Sequence, residues 1–429
     1  MKNSNINHDV IHGLGSNVKM KDSGIEWIGK VPEHWKACRF KDFIKLCTDT
    51  SNSINKIGLE NIESGTGRFI ETSTKFEGNG VEFKKDSIVY GKLRPYLQKV
   101  WMAEFSGNAV GDFFVFNARK NAMPAYIKYV MLSDGFTKVA DRSTAGAKMP
   151  RVSSDFILSL NYCIPSLVDQ QRMVTYLDTK LSEIDHQVSL LTSKRDAYLR
   201  LKKSIINHAV TRGLNPNVKM KDSGIEWIGE VPEHWEVKRM KDICDYISRG
   251  STPDYVDEDY QKVMNQGTFS KGWIDESNIR YTKIGKSGAH IKKGDLLMAS
   301  TGGGVLGKIL YFDSIDENYY ADSHVTIMRN SKGINSMKFL FYHFSLRFDE
   351  INATMTKGST NQTELQRYEL LSHKVAIPPL PEQHAIATYL DDKCAKIDTI
   401  VSNFGKQISR YADLKRSLID EVITGKRAV

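Results

Sequence analysis

The chain has 429 residues, 40% hydrophobic and 26% charged, the balance of a globular protein and not of a disordered or collagen-like one. No 18 consecutive residues are apolar and the first two dozen are polar, so neither a membrane span nor a secretory leader is expected. The five cysteines are scattered without a Cys-x-x-Cys pair, which argues against a zinc cluster or disulfide framework and fits a reducing cytoplasm. The net charge of +9 is compatible with a polyanionic partner, and it is unevenly placed. Residues 1–216 carry 31 basic and 22 acidic side chains, whereas residues 217–429 carry 29 of each.

In chain order, a polar tail (1–16) leads into Asn17–Trp35, NVKMKDSGIEWIGKVPEHW. This stretch returns at Asn217–Trp235 with 18 of 19 positions identical, which chance does not produce. The tail itself matches 201–216 at 8 of 16 positions, so it completes the same repeat. A second repeat has an offset of 213. Residues 164–213 and 377–426 match at 19 of 50 positions without gaps. Between the repeated parts lie two dissimilar stretches, roughly 40–160 and 240–375. The order is constant, variable, constant, variable, constant, and the last block ends where it would feed the first variable one. The expected domains are 1–16 as the tail, 17–164, a helix over 165–213, 214–377, and a helix over 378–429. A circular, pseudo-two-fold chain follows.

The first variable block reads as several strands over 81–116, with Gly91–Lys99 (GKLRPYLQK) as a basic turn. Lys92, Arg94, Tyr96 and Lys99, with Lys148 and Arg151 beyond, are candidate contacts to phosphates or base edges. An exposed basic hairpin without a ligand has the same composition. From Leu177, apolar positions step by four and three through Leu181, Ile184, Val188 and Leu191, then Tyr198 and Ile205, with Arg195 and Lys202 interrupting. The distal copy runs Leu390, Cys394, Ile397, Val401, Phe404, Ile408 and Tyr411, then Leu418 and Val422, with Lys415 interrupting. This is a coiled-coil pattern. Pro165 and Pro378–Pro381 mark the starts. Helices of about 40 residues would be roughly 60 Å long and would pair antiparallel as a spacer.

The second variable block supplies Arg249, Ser251 and Thr252, then Gln266 and Lys271, then Thr301, and finally Asn361 and Gln362. Asn and Gln can bond adenine bidentately, although these residue types also populate turns. Because this half has no net charge, local clusters such as Lys283, Lys286, Lys292 and Lys293 would have to attract a polyanion. Gly302, Gly304 and Gly307 imitate a nucleotide-binding loop. However, Ile309–Phe312 reads as a strand where such loops need a helix, so a glycine-rich hairpin is expected. No His or Cys spacing suits a metal, and no methylase-type Asn/Asp-Pro-Pro-aromatic motif occurs. His34 and His234, present in both copies of Pro-Glu-His-Trp, read as structural.

SGIEWIGKVPEHW, GKLRPYLQKV and the IPSLVDQQ entry into a long helix together resemble the DNA-specificity subunit of type I restriction–modification enzymes, over essentially the whole chain. The resemblance implies an α+β fold. Two α/β target-recognition domains would be joined by two long antiparallel coiled-coil helices in a circular pseudo-two-fold arrangement. Each variable domain would read one half of a split site in double-stranded DNA. The helices would set the gap and dock two modification subunits, resembling adenine methyltransferases. Restriction subunits with translocase and nuclease activity would complete the complex. This chain would be non-catalytic and bind no metal or cofactor, with S-adenosylmethionine, ATP and Mg in its partners. The alternative is a stand-alone DNA-binding regulator.

Overall fold

The computed structural model describes residues 19–427 and 429, except 52, 146–147, 227, 258–259, 284–288, 317 and 359–362. The tail 1–16 and the candidates Lys286, Asn361 and Gln362 lie outside the described residues. The chain divides into two compact units. One comprises residues 1–192 and 405–429, the other residues 193–404. Each therefore takes its own variable block and a segment of both long helices.

The central helix is Leu167–Arg212 (46 residues) and the distal helix is Leu380–Ile423 (44 residues), both somewhat longer than the periodicity suggested. A helix with an apolar stripe must cover it, and in each unit the other long helix does so. In the first unit Leu177 and Ile184 are buried in one core with Leu418, Ile419, Val422 and Ile423, and Leu181, Val188 and Tyr411 pack against it. In the second unit Leu390 and Cys394 share a core with Ile206, Ala209 and Val210. Ile397 is buried, and Tyr198 and Phe404 bring their rings to 5.9 Å. Leu191, Val401 and Ile408 are half-buried on the same periodic stripe.

The interruptions in that stripe have a use. Lys415 Nζ reaches Asp185 at 2.6 Å in the first unit, and Lys202 Nζ reaches Asp398 at 2.7 Å in the second. Residues 185 and 398, like 202 and 415, are 213 apart, so the repeat makes the same charge pair twice. Such part-exposed pairs add little stability, but they oppose a helix register that would face lysine with an apolar side chain.

The main sheets of the two variable blocks share one topology despite their dissimilar sequences. In the first unit a four-stranded antiparallel sheet runs in the order Ile44–Cys47, Phe113–Ala118, Ile88–Gly91, Val100–Met102. In the second the order is Tyr246–Arg249, Val325–Arg329, Leu296–Ala299, Ile309–Tyr311. Ile88–Gly91 and Leu296–Ala299 are central and buried throughout, hence apolar without alternation. A second small sheet in each unit contains one parallel pair, Lys56–Ile57 with Gly107–Ala109 and Gln261–Met264 with Tyr319–Ala321. The entry strands also match. Lys36–Arg39 pairs with Asn161–Ile164, and Glu236–Arg239 with Lys374–Ile377.

The repeated entry segment anchors each unit to a helix end. Trp35 and Trp235 are almost fully buried. Gly425, just past the distal helix, has φ of +71° and sits where a Cβ would come within 2.6 Å of Pro32 and 3.1 Å of Trp35. The end of the distal helix thus packs on the entry of the first unit, the closure implied by the repeat order. His34 bonds Asp169 at 3.3 Å and His234 bonds Glu382 at 2.7 Å, so both histidines brace a helix entry.

A buried glutamine stitches each helix entry to its variable domain. Gln170 accepts from the Met123 amide at 2.8 Å and donates to the carbonyls of Asn121 and Pro165, each at 3.0 Å. Gln383 repeats this with the Ser336 amide (2.7 Å), Asn335 Oδ1 (3.2 Å) and the Pro378 carbonyl (2.9 Å). Removing such a group leaves buried partners unsatisfied, so Gln170→Ala should cost the first unit about 1–3 kcal/mol, read as a lowered midpoint in urea or thermal unfolding.

Candidate nucleic-acid interface

The turn joining the two inner-edge strands of the main sheet is built the same way in both units. In the first, Gly91 N donates to Lys99 O, Lys92 N to Asp112 O and Val152 N to Lys92 O. In the second, Ala299 N donates to Lys308 O, Ser300 N to His324 O and Leu365 N to Ser300 O. Leu93 bridges Arg151 and Thr301 bridges Glu364. These contacts align Lys92 with Ser300, Leu93 with Thr301, Asp112 with His324, and Arg151 with Glu364. One backbone frame therefore carries two different sets of side chains.

In the first unit the frame is cationic at its rim. Arg94 is exposed in a left-handed conformation, with φ of +51°, and its amide donates to Pro150 O at 2.8 Å. That bond brings the 92–98 turn beside the segment bearing Lys148 and Arg151, both exposed. Tyr96 is 53% exposed. Arg151 makes a bidentate pair with Asp112, at 3.0 and 2.9 Å, and Lys92 stands 3.8 Å from the same carboxylate. Lys99 turns inward and donates to the Ile62 carbonyl at 2.5 Å. Of the six candidates, Arg94, Tyr96, Lys148 and Arg151 line one exposed rim, Lys92 is half-buried beside it, and Lys99 is engaged in holding the fold.

In the second unit the glycine-rich segment is a turn between the antiparallel strands Leu296–Ala299 and Ile309–Tyr311, so no phosphate-binding helix follows it. Thr301 Oγ1 donates to Gln266 Oε1 at 2.9 Å and lies 2.8 Å from His324 Nδ1. Arg249 approaches the Ser300 carbonyl (3.3 Å), the Leu365 carbonyl and Glu364 (each 3.5 Å). Thr301 thus joins Gln266 and His324, and Arg249 stands at the neighbouring Ser300 carbonyl and at Glu364, the bridge partner of Thr301. Ser251 is tied to Tyr320, Thr252 is exposed nearby in sequence, and Lys271 is held by Asp275 at 2.7 Å. The Lys271 ammonium, with Ser277, holds the Asp275 carboxyl down at about 2. Lys283, Lys292 and Lys293 are exposed.

Sequence reading missed Asp112, His324 and Glu364. A signal existed for Glu364, because the gap-free 213 offset continues upstream of 164 through Leu158 and Leu371, Ile157 and Leu370, to Arg151 and Glu364. Asp112 and His324 become partners only through strand pairing. Among the described residues no cluster of metal-ligating side chains occurs, and no helix is long and apolar enough to cross a membrane.

A family model for the type I restriction modification DNA specificity domain matches residues 232–404. The type I restriction enzyme MjaVIII specificity subunit of Methanocaldococcus jannaschii is 23% identical over 92% of this chain and 94% of its own length. The chain is similar in sequence to type I restriction-enzyme specificity subunits. The EcoKI specificity subunit of Escherichia coli K12 is 20% identical over 73% of this chain and 67% of its own. Among solved structures, a chain of a type I R-M system superposes with a TM-score of 0.74 at 16% identity, covering 92% of this chain and 99% of that one. The HsdS subunit from Thermoanaerobacter tengcongensis gives 0.52 at 16% identity, covering 92% and 98%. The resemblance carried by the entry motifs and the fold class of two mixed domains with long paired helices are thereby borne out.

The Asp112 pair gives a pH test. The Arg151 guanidinium, with Lys92, holds the Asp112 carboxyl below the usual carboxylate range. A carboxyl held low only in the folded chain contributes stability that is complete above its unfolded pKa and is lost as pH falls through the folded value. The difference in melting temperature between the wild type and Asp112→Asn should be constant near neutrality and shrink from about pH 4 downwards.

Proposed function

We propose that this chain is the sequence-specific DNA-recognition subunit of a type I restriction–modification complex, each variable domain reading one half of a split, asymmetric target. The observation that carries this is the shared turn frame, which presents Arg94, Tyr96, Lys148 and Arg151 in one unit and Arg249, Gln266 and Thr301 in the other. A common scaffold with unlike contact residues is what two readers of unlike half-sites require. The first set suits phosphates and guanine edges, and the second suits adenine and backbone contacts. Asn361 and Gln362 remain further candidates.

The long helices are the proposed spacer, their antiparallel pairing setting the unspecified gap and docking two adenine-methylating modification subunits. The domains proposed from the repeats, 17–164 and 214–377, would be the exchangeable readers. S-adenosylmethionine, ATP and Mg would act in the modification and restriction partners, in the cytoplasm. DNA affinity would come from the basic first half, from the local lysines of the second and from the partners. It should therefore fall steeply with salt.

The test is a map of methylated adenines in cells expressing this chain with its modification subunit. One split motif with two unlike halves is expected. Exchanging residues 40–160 for those of a relative should alter one half only, and a change in both would refute the division. Deleting seven residues within Leu177–Ile205 should change or abolish the gap. Unchanged methylation at the native spacing would exclude the spacer role.

A further inference from the structure

We propose that Gln266 is an adenine-reading side chain and that Thr301 and His324 are the residues that position it. This rests on the DNA-recognition reading above and adds the base and the atoms. Gln266 follows Asn265, whose side chain accepts from the amides of Gly267 (2.8 Å) and Thr268 (3.1 Å), so the backbone that carries the glutamine is braced. Its Oε1 accepts the Thr301 hydroxyl proton at 2.9 Å, and the same hydroxyl oxygen lies 2.8 Å from His324 Nδ1. A hydroxyl has one proton to give. Having given it to Gln266, Thr301 can only accept from the ring, so neutral His324 carries its proton on Nδ1. The relay then runs in one direction, from His324 through Thr301 to Gln266. The His324 backbone is itself tied, its amide donating to Asp322 Oδ1 at 2.8 Å.

A free amide can turn over and offer its oxygen and nitrogen in either order. The relay removes that freedom by holding the oxygen at Thr301. Space is also reserved beside the amide. A Cβ on Gly302, whose φ is +90°, would stand 2.9 Å from Gln266 Nε2. After the Thr301 bond, Oε1 retains one lone pair and Nε2 two protons. One acceptor next to one donor matches the major-groove edge of adenine, where N7 accepts and N6 donates. It mismatches guanine, whose N7 and O6 both accept. The first unit has no such relay, because Leu93 and Asp112 occupy the places of Thr301 and His324. The effect is therefore confined to the half-site read by the second unit.

The experiment incubates the full chain, complexed with its modification subunit and S-adenosylmethionine, with a pool of randomised duplexes and sequences the methylated members. For Gln266→Glu the donor nitrogen becomes an acceptor, which suits the cytosine N4 amine. One position of the second unit's half-site should then shift from adenine towards cytosine by roughly tenfold or more, the other half-site being unchanged. Thr301→Val should lower adenine-over-guanine discrimination at that same position about fivefold or more, and Thr301→Ser should restore it. A motif unchanged by Gln266→Glu, or a loss spread evenly over all positions with no altered preference, would overturn the assignment. If Gln266→Glu methylates nothing, Thr301→Val decides, and an unaltered adenine-to-guanine ratio at every position overturns it. A wild-type complex that selects no split motif would instead overturn the recognition reading itself.

Discussion

An apolar stripe on a helix of more than 40 residues cannot be left in water, and every other feature of this chain follows from how the two stripes are covered. In each unit the covering segment comes from the other long helix, at the far end of the sequence. The first unit is therefore assembled from two separate stretches of chain, whereas the second, residues 193–404, is continuous. The reciprocal pairs Asp185–Lys415 and Asp398–Lys202 use the lysines that interrupt the stripe, and the repeat ensures that one register satisfies both units at once.

On that base the variable domains are held by a small set of repeated buried groups. Gln170 and Gln383 bond backbone atoms of the domain at the helix entry. Tyr129 bonds Asp178 and Tyr342 bonds Asp391, again 213 residues apart. Trp35 and Trp235 fill the entry cores. The glutamines and tyrosines are polar and buried, so their substitution leaves unsatisfied partners, and loss of either tryptophan leaves a cavity. The frame is thus costly to change, while the turns it presents are free to differ. Such a division suits a protein whose scaffold must stay constant while its contact residues vary.

The helices, the repeat and the closure of the chain on itself were legible because each depends on periodicity or identity along the sequence. The glycine-rich turn was legible too, since a run such as Ile309–Phe312 cannot begin a phosphate-binding helix. The site was less so. Lys99 read as a contact residue, yet it donates to the Ile62 carbonyl, and Lys271 is engaged by Asp275. A lysine's charge is visible in a sequence, but whether a carbonyl or carboxylate lies within its reach is not. Asp112 and His324 gave no local signal, because each gains its role from strand pairing with Gly91 or Ala299.

The sequence by itself determined the plan: two unlike blocks, two like helices and an order that closes, because those properties are written as repeats and as a 4-3 apolar pattern. Only the tertiary structure decided that the two unlike blocks share one sheet and one turn, since backbone hydrogen bonds specify topology without specifying side chains. It also decided which polar residues meet. Thr301, Gln266 and His324 are separated by up to 58 positions in the sequence, and only the folding of two sheets brings their polar atoms within hydrogen-bonding distance.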